Sequence, residues 1–177
     1  MKRIISMLVI TAFMASCGGG DADANKTQEK STDQTETKME ETTPVKTETM
    51  VAKEVSLEVK TTGELMTDMA FEPKRLEVPA GAKVKVTLMN TAKSEAMIHN
   101  FVLINAGTQE EVATQALEAG PDKDYIPENS NVLAATSMAN PGETVVVEFT
   151  APTKAGTYQY ICTYPGHTAM KGVFLVK

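Results

Sequence analysis

The 177-residue chain contains only two histidines, two cysteines and no tryptophan. Two imidazoles cannot supply the several histidine-rich metal centres of the larger redox enzymes. Two cysteines can form at most one disulfide, which excludes a fold held together by a disulfide framework. The apolar stretch at residues 4–14 is far shorter than the ~20 residues that span a bilayer as a helix.

Positive charge is also in deficit. The chain has 17 Lys and Arg against 23 Asp and Glu, which gives a net charge of −6. No basic stripe interleaved with aromatic residues is visible. This composition therefore argues against nucleic acid as a partner.

The N-terminus has the features of an export signal covering residues 1–16: a positively charged start, an apolar stretch and small residues up to Ser16. The ending MASC resembles a bacterial lipobox. By that resemblance the signal is removed and Cys17 becomes the lipidated N-terminus. Ordinary signal cleavage, which would leave a free thiol, is the alternative. Gly18 directly after Cys17 favours the outer membrane over the inner one, by analogy with common sorting rules.

Residues 17–50 are predicted to comprise the lipidated Cys17 and a disordered acidic, Thr-rich tether. The 33 residues after Cys17 contain no Phe, Tyr, Leu or Ile, so they cannot bury enough apolar surface to offset their ordering entropy. As a flexible coil they would span ~30 Å. Residues 51–177 are the predicted folded domain, whose size is normal for one core.

The predicted domain alternates apolar and polar residues with period two, which is typical of β-strands. Such segments, mostly separated by Pro, Gly or Asn, are VSLEVK, RLEVP, KVKVTLMN, IHNFVLIN, VVVEFT, TYQYIC and GVFLVK. Many short strands predict an all-β sandwich or barrel, here with seven or eight strands. Residues 108–119 break the pattern and place Val112, Gln115, Ala116 and Ala119 on one face before a Gly-Pro stop. They predict one short helix in a crossover between strands.

The most informative segment is YICTYPGHTAMKG at residues 160–172, which places Cys162, His167 and Met170 in one loop after an apolar strand. The other histidine, His99, opens the apolar segment HNFVLI. One thiolate, two imidazoles and a thioether are the ligands of a blue-copper electron-transfer site, with the thioether as a weak, long axial ligand. A structural zinc site is the rival interpretation, but such sites use four Cys or His ligands.

This loop resembles those of azurin and auracyanin in the cupredoxin family, as do the segments HNFVL, MAFEP, LEVPAG and KVKVTLMN. The resemblance covers about residues 65–177 and implies a Greek-key β-sandwich that binds one type 1 copper ion. It implies His99, Cys162 and His167 as equatorial ligands and Met170 as the axial ligand. Asn100 would steady the Cys162 sulfur and tie the two ligand segments together.

Two positions depart from the azurin pattern. Two residues separate His167 from Met170, one fewer than in azurin and the same number as in amicyanin. Ile98 stands where azurin has a glycine whose carbonyl approaches copper.

The resemblance implies a protein that carries single electrons between Cu(I) and Cu(II) and is not an enzyme. The implied electron port is the ring edge of His167 at the surface. We expect an apolar docking patch around it, made of Tyr164, Pro165, Ala169, Met69, Phe71 and Met97.

We expect partners to be redox proteins such as cytochromes, oxidases or reductases, docking transiently at interfaces below ~1,200 Å². The carrier itself is expected to be a monomer on the periplasmic or cell-surface side, anchored to a membrane through Cys17. A periplasmic copper chaperone or scavenger using the same ligands is the alternative function. A third possibility is an adhesion or signalling sandwich without redox chemistry that merely inherited the scaffold.

Overall fold

The computed structural model describes residues 53–177. The predicted export signal at residues 1–16, the lipidation site Cys17 and the predicted tether up to residue 50 lie outside the described residues. These assignments stay predictions, as does the domain boundary at residue 51.

Residues 53–177 form nine strands, one α-helix and one turn of 3-10 helix. The elements in chain order are β1 (Glu54–Thr62), β2 (Ala70–Glu72), β3 (Arg75–Val78), β4 (Lys83–Asn90), β5 (Val102–Ile104), α1 (Gln109–Ala119), the 3-10 turn (Pro121–Lys123), β6 (Val132–Ala135), β7 (Thr144–Thr150), β8 (Gly156–Ile161) and β9 (Lys171–Val176).

The strands form two mixed sheets. The first has four strands in the order β2-β1-β4-β7, and the second has five in the order β3-β9-β8-β5-β6. The pairs β1–β4 and β3–β9 are parallel, and the other pairs are antiparallel. The predicted all-β sandwich is confirmed.

The core lies between the two sheets because each strand turns alternate side chains inward. In β4, Lys83 and Lys85 are exposed whereas Val84, Val86 and Leu88 are buried. The opposite sheet contributes residues of the same buried cluster, among them Leu76, Tyr160 and Phe174. The period-two pattern of the sequence therefore reports the inward and outward faces correctly.

The sequence pattern missed two strands and misplaced the start of a third. β2 has only three residues, too short for an alternating pattern to show, and β6 has the sequence VLAA, which is apolar throughout and does not alternate. The structure therefore has nine strands where seven or eight were expected. The segment IHNFVLIN was predicted to be a strand from its start, but the strand it contains, β5, begins only at Val102.

The predicted crossover helix is present as α1, which starts one residue later than expected and ends before Gly120. Its buried residues Val112 and Ala116 lie on the predicted face, and Val112 packs with Val102, Ile104 and Ile161 in a second apolar cluster. Within residues 53–177, no helix combines the length and apolarity needed to cross a bilayer.

Among residues 53–177, Tyr160 of β8 is the largest fully buried side chain, and it joins the two sheets at the end near the predicted metal ligands. Its ring lies 5.1 Å from that of Phe71 and 5.0 Å from that of Phe101. Its hydroxyl donates to the Pro73 carbonyl oxygen. The ring covers Gly172 of β9 so closely that a methyl group there would overlap it. Gly172 is therefore required by packing.

We predict that Gly172→Ala lowers the free energy of unfolding of the copper-free protein by about 2–3 kcal/mol, since overpacking forces buried groups to move. Urea unfolding followed by circular dichroism measures the change. In a Tyr160→Leu background the same Gly172→Ala change should cost clearly less, because the overlapping ring is gone. Equal costs in the two backgrounds would contradict the packing explanation.

Candidate metal centre

The predicted ligands come from two places in the sequence that β-sheet pairing brings together. β5 and β8 are antiparallel neighbours, with Val102 opposite Ile161. His99 stands three residues before Val102, and Cys162 directly follows Ile161. Both therefore lie at the same end of the second sheet.

His99 was predicted to lie on a strand, but it forms only an isolated bridge with Ala139. The His99 N–H donates to the Ala139 carbonyl at 3.1 Å, and the Ala139 N–H donates to the His99 carbonyl at 2.7 Å. These two bonds fix the main chain of His99 without extending the ladder.

The loop from Cys162 to Met170 is closed by its own hydrogen bonds. The His167 N–H donates to the Tyr164 carbonyl at 3.0 Å, and the Met170 N–H donates to the His167 carbonyl at 2.8 Å. The Cys162 N–H donates to the Met170 carbonyl at 3.1 Å, which brings the loop ends together. Gly166 has φ +84°, a left-handed conformation that glycine adopts without strain.

Cys162, His99 and His167 converge on one point. The Cys162 Sγ atom lies 3.7 Å from His99 Nδ1 and 3.9 Å from His167 Nδ1, and the two Nδ1 atoms are 3.2 Å apart. Bonds of about 2.0 Å to nitrogen and 2.3 Å to sulfur allow two donors of one ion to be up to about 4.3 Å apart. All three separations meet this limit, so these residues fit a single metal ion.

Burial raises the pKa of the Cys162 thiol to about 11, although the main-chain N–H groups of Asn100 and Tyr164 donate to its sulfur and act in the opposite direction. The thiol is fully buried. A bound metal ion would reverse this balance, because metals bind and stabilise the thiolate.

Both imidazoles are held neutral, as metal binding requires. Burial, helped by the neighbouring His167, lowers the pKa of His99 to about 4. Burial also lowers the pKa of His167, although a hydrogen bond with the Ile98 carbonyl acts against it. The Ile98 carbonyl therefore faces the His167 ring at the site.

The second nitrogen of His99 departs from the usual pattern of metal-binding histidines. Such a ring usually donates its other N–H to a carboxylate, a carbonyl oxygen or water, yet Nε2 of His99 is buried without a partner among residues 53–177. Within that range, packing and the main-chain bridge to Ala139 fix the position of the ring.

Asn100 links the two ligand segments with three hydrogen bonds. Its Oδ1 accepts from the Thr163 N–H at 2.9 Å, and its Nδ2 donates to Thr163 Oγ1 at 2.8 Å. Nδ2 also donates to the Asp124 carbonyl at 3.1 Å, which adds the crossover after α1 to the network. The side chain of Asn100 thus joins three segments, while its N–H donates to the sulfur.

Met170 lies at the end of the same loop, with its side chain 1 % exposed and packed in the main core. Its main chain forms hydrogen bonds with the main chains of both His167 and Cys162. Its role as the axial ligand remains a proposal.

The structure corrects the predicted docking patch. Met69, Phe71 and Met97 are buried and belong to the interior, because their segments turn these side chains inward. Tyr164 and Pro165 are half-buried, and of the six predicted patch residues only Ala169 is exposed.

The predicted electron port is corrected as well. His167 was expected to show its ring edge to solvent, but it is 1 % exposed. Sequence reasoning also missed Leu65 and Met66, which are 63 % and 49 % exposed in the β1–β2 loop. Their segment, GELMTD, reads as an ordinary turn, so only their apolar character in a polar loop could have indicated them.

The sequence and structure comparisons agree on one family. Residues 53–177 match the copper-binding proteins of the plastocyanin/azurin family. Auracyanin-A of Chloroflexus aurantiacus is 41% identical over 126 residues, which cover 69% of this chain and 74% of that protein. Azurin of Pseudomonas fluorescens biotype C is 34% identical over 127 residues, which cover 68% of this chain and 99% of azurin.

A solved structure supports the same relationship. That of auracyanin A, a "blue" copper protein from Chloroflexus aurantiacus, matches with a TM-score of 0.62 and 41% identity, covering 70% of this chain and 99% of that one. The chain belongs to the plastocyanin/azurin family of copper-binding proteins. The predicted cupredoxin resemblance is confirmed, and the His99, Cys162 and His167 cluster is consistent with one type 1 copper ion.

We predict that the copper-free protein is most stable between about pH 6.5 and pH 9, from the two shifted pKa values. Unfolded His99 binds a proton near pH 6.5, but folded His99 does so only near pH 4, so stability falls as the pH drops through this window. Unfolded Cys162 ionises near pH 9, but folded Cys162 does so only near pH 11, so stability also falls as the pH rises through that window. Each loss amounts to about 3 kcal/mol.

Urea unfolding of the copper-free protein from pH 4 to pH 11 checks this profile, with Cys162→Ala and His99→Gln as matched variants. The stability difference between wild type and Cys162→Ala should be constant from pH 7 to pH 9 and should change only above pH 9. The stability difference between wild type and His99→Gln should change only below pH 6.5. If the stabilities of wild type and both variants changed in parallel over the whole pH range, burial of His99 and Cys162 would not be the cause of the pH dependence.

Proposed function

We propose that this protein is a blue-copper carrier that takes up and releases one electron at a time. The observation that carries the proposal is the convergence of Cys162 Sγ, His99 Nδ1 and His167 Nδ1, separated by 3.2–3.9 Å, in a fully buried site. Membership of a copper-binding family and the likeness to a "blue" copper protein support it.

Bound copper would supply the redox chemistry, since it alternates between Cu(I) and Cu(II). We propose Cys162, His99 and His167 as its equatorial ligands and Met170 as a weak axial ligand. The protein's part is to hold these donors in positions that both oxidation states accept. The closed loop hydrogen bonds and the Asn100 network support such rigidity.

The environment of the site also favours electron transfer over substrate chemistry. Within the described residues, the donor cluster contains no carboxylate, and its three members are at most 1 % exposed. A substrate would need a free coordination position with access to solvent. We therefore propose that the protein is a carrier and not an enzyme.

Burial argues in the same way against the chaperone alternative. A copper donor exchanges its ion with a partner and needs ligands that the partner can reach. Here all four proposed ligand side chains are at most 1 % exposed. This supports retention of copper, with electrons exchanged in brief encounters with cytochromes, oxidases or reductases and with the carrier acting as a monomer.

We further propose that the carrier works in the cell envelope, anchored to a membrane through lipid on Cys17. Support comes from the signal-like residues 1–16, the lipobox-like MASC and the polar composition of the following 33 residues. Such a segment would let the folded domain range ~30 Å from the membrane surface. Gly18 after Cys17 favours the outer membrane over the inner.

We predict that the full chain loaded with Cu(II) is intensely blue, owing to charge transfer from the Cys162 thiolate, and that Cys162→Ser abolishes the colour. Met170→Leu should keep a blue site but change its reduction potential, because the axial ligand tunes it. Absorption and electron paramagnetic resonance spectra with redox titration measure these effects.

The matched control for the axial position is Met138→Leu. Met138 is a half-buried methionine next to Ala139, whose main chain pairs with that of His99. It should leave both spectrum and potential unchanged. Copper that binds without blue colour, or that passes quickly to a Cu(I) chelator, would count against a carrier. An unchanged potential in Met170→Leu would exclude only the axial assignment.

For the anchor, we predict that Cys17→Ser shifts the full chain from the membrane fraction to the supernatant when a bacterial host is lysed and centrifuged. Lipid attachment is the physical reason, because acyl chains partition into the bilayer. The matched control is Cys162→Ser, which removes the other cysteine and should leave the protein in the membrane fraction. Equal behaviour of the two variants would disprove anchoring through Cys17.

A further inference from the structure

Two segments of the chain cross between the sheets beside the metal centre, and both meet at Asn90. Asn90 ends β4 in the first sheet, and the chain after it carries His99 on its way to β5 in the second sheet. The other crossing runs from β6 to β7 and contains Ala139, whose main chain pairs with that of His99. The main chain of Asn90 therefore adjoins both segments that place His99.

The side chain of Asn90 is 2 % exposed and uses its full hydrogen-bonding capacity. Nδ2 donates to the Met97 carbonyl at 2.7 Å and to the Ala139 carbonyl at 2.9 Å. Oδ1 accepts from Thr61 Oγ1 at 2.9 Å and from the Ala92 N–H at 3.1 Å. A side-chain amide has two N–H donors and two acceptor positions, so all four are occupied.

These partners fix which way the amide points. The carbonyl oxygens of Met97 and Ala139 can only accept, and the Ala92 N–H can only donate. One orientation of the Asn90 amide satisfies both sides. An aspartate of the same shape could still accept on the Ala92 side, but it could not donate to both carbonyls. The position therefore suits an amide and not a carboxylate.

The two donated bonds hold the main chain around His99. Met97 stands two residues before His99, and the Ala139 carbonyl that Asn90 binds also accepts from the His99 N–H at 3.1 Å. The bonds to Ala92 and Met97 also join the two ends of the loop between β4 and His99. One buried side chain thus fixes the loop before this ligand and the segment that pairs with it.

The Asn90 side chain is itself anchored in the first sheet through Thr61 of β1. Thr61 is 1 % exposed, and β1 lies between β2 and β4 in the sheet. Its hydroxyl donates to Asn90 and accepts from the Thr91 N–H at 3.2 Å, while the Thr91 hydroxyl donates to the Thr61 carbonyl at 2.5 Å. A buried network in which every member is satisfied is rigid.

We propose that Asn90 is a positioning residue for the metal ligand His99. The two hydrogen bonds that its amide donates, to the Met97 and Ala139 carbonyls, hold the His99 main chain where the ring can meet the other metal ligands. Without these bonds the two carbonyls would be buried and unpaired, and the segments that carry them would rearrange.

This role differs from that of Asn100. Asn100 joins the His99 segment to the loop that carries Cys162, whereas Asn90 joins the same segment to the first sheet. His99 is thus held from both sides of the sandwich. The positioning is a property of the polypeptide, and only its effect on bound copper rests on the proposed function.

Amide hydrogen exchange of the copper-free full chain, followed by NMR, tests the positioning without a metal. In wild type the N–H groups of His99 and Ala139 should exchange as slowly as those within β4, because protected groups exchange only through opening. Asn90→Ala and Asn90→Asp should each speed these two amides about tenfold more than the amides of β9, the effect expected when buried groups lose their partners.

Two variants serve as matched controls. Val84→Ala truncates a buried core residue about 20 Å away along β4 and should speed all slowly exchanging amides together, through a loss of global stability. Thr61→Val removes one accepted bond but leaves both donated bonds of Asn90 in place. It should speed the His99 and Ala139 amides less than either Asn90 variant.

The copper-loaded full chain provides the second readout. Asn90→Ala should release Cu(I) to a chelator about tenfold faster than wild type and should shift the reduction potential, because groups that orient a ligating histidine contribute to metal affinity. This substitution leaves the net charge unchanged, so a shift cannot come from added charge. Val84→Ala should keep the release rate and the potential of wild type.

The outcomes distinguish positioning from general support of the fold. If the His99 and Ala139 amides accelerate no more than those of β9 in Asn90→Ala, Asn90 only stabilises the fold and the proposal is wrong. If they accelerate but copper release and potential do not change, Asn90 holds the segment without positioning the ligand, and the proposal also falls.

Two further results remain decisive. Should the Asn90 variants fail to fold, the wild-type rates decide, since fast exchange of the His99 and Ala139 amides would overturn the proposal. If copper-loaded wild type is not blue, the carrier function fails, but exchange in the copper-free chain still decides whether Asn90 holds His99 in place.

Discussion

Burial of the Cys162 sulfur is the constraint on which the rest of the site depends. A buried thiolate without partners would be costly, and burial does raise the pKa of this thiol to about 11 even though two main-chain N–H groups donate to it. Two neutral imidazoles point their Nδ1 atoms at the same place, 3.7 and 3.9 Å from the sulfur. Such a group becomes stable as a thiolate at neutral pH only beside a cation that also accepts imidazole nitrogen. The apolar interior thus opposes ionisation of the Cys162 thiol by itself, and it strengthens the interaction of the thiolate with a metal ion.

This ligand set requires accurate placement of segments that are more than 60 residues apart. Several successive interactions in the fold provide this placement. Pairing of β5 with β8 brings His99 and Cys162 to one sheet end, and Asn100 then bonds to Thr163 and to the Asp124 carbonyl. Asp124 and Tyr125 have φ values of 50° and 52°, which non-glycine residues adopt at some cost in strain. The ring of Tyr125 packs 5.5 Å from that of Tyr164, so the strained turn is held against the copper-binding loop. The crossover that carries α1 therefore contributes to positioning the ligands.

Sequence analysis correctly predicted the features that depend on closely spaced ligand residues or on an alternating pattern. It failed for the features that depend on tertiary packing. The alternating segments predicted the sandwich, and the loop after β8 indicated Cys162, His167 and Met170 because few sites combine these residue types so closely. Strands as short as β2 left no readable period. The predicted patch failed because Met69, Phe71 and Met97 look alike in sequence whether they face the core or the solvent.

A dry site and a short route for the electron are opposing demands. Water near the ligands would stabilise the more highly charged oxidation state and add solvent rearrangement to each transfer, so complete burial favours fast exchange. Complete burial also lengthens the path to any partner. The structure meets both demands by keeping the ligand side chains at most 1 % exposed while Gly166, Thr168 and Ala169 of the same loop reach the surface. Buried ligands and exposed residues thus alternate within one loop, which brings the surface close to the metal ligands without exposing them.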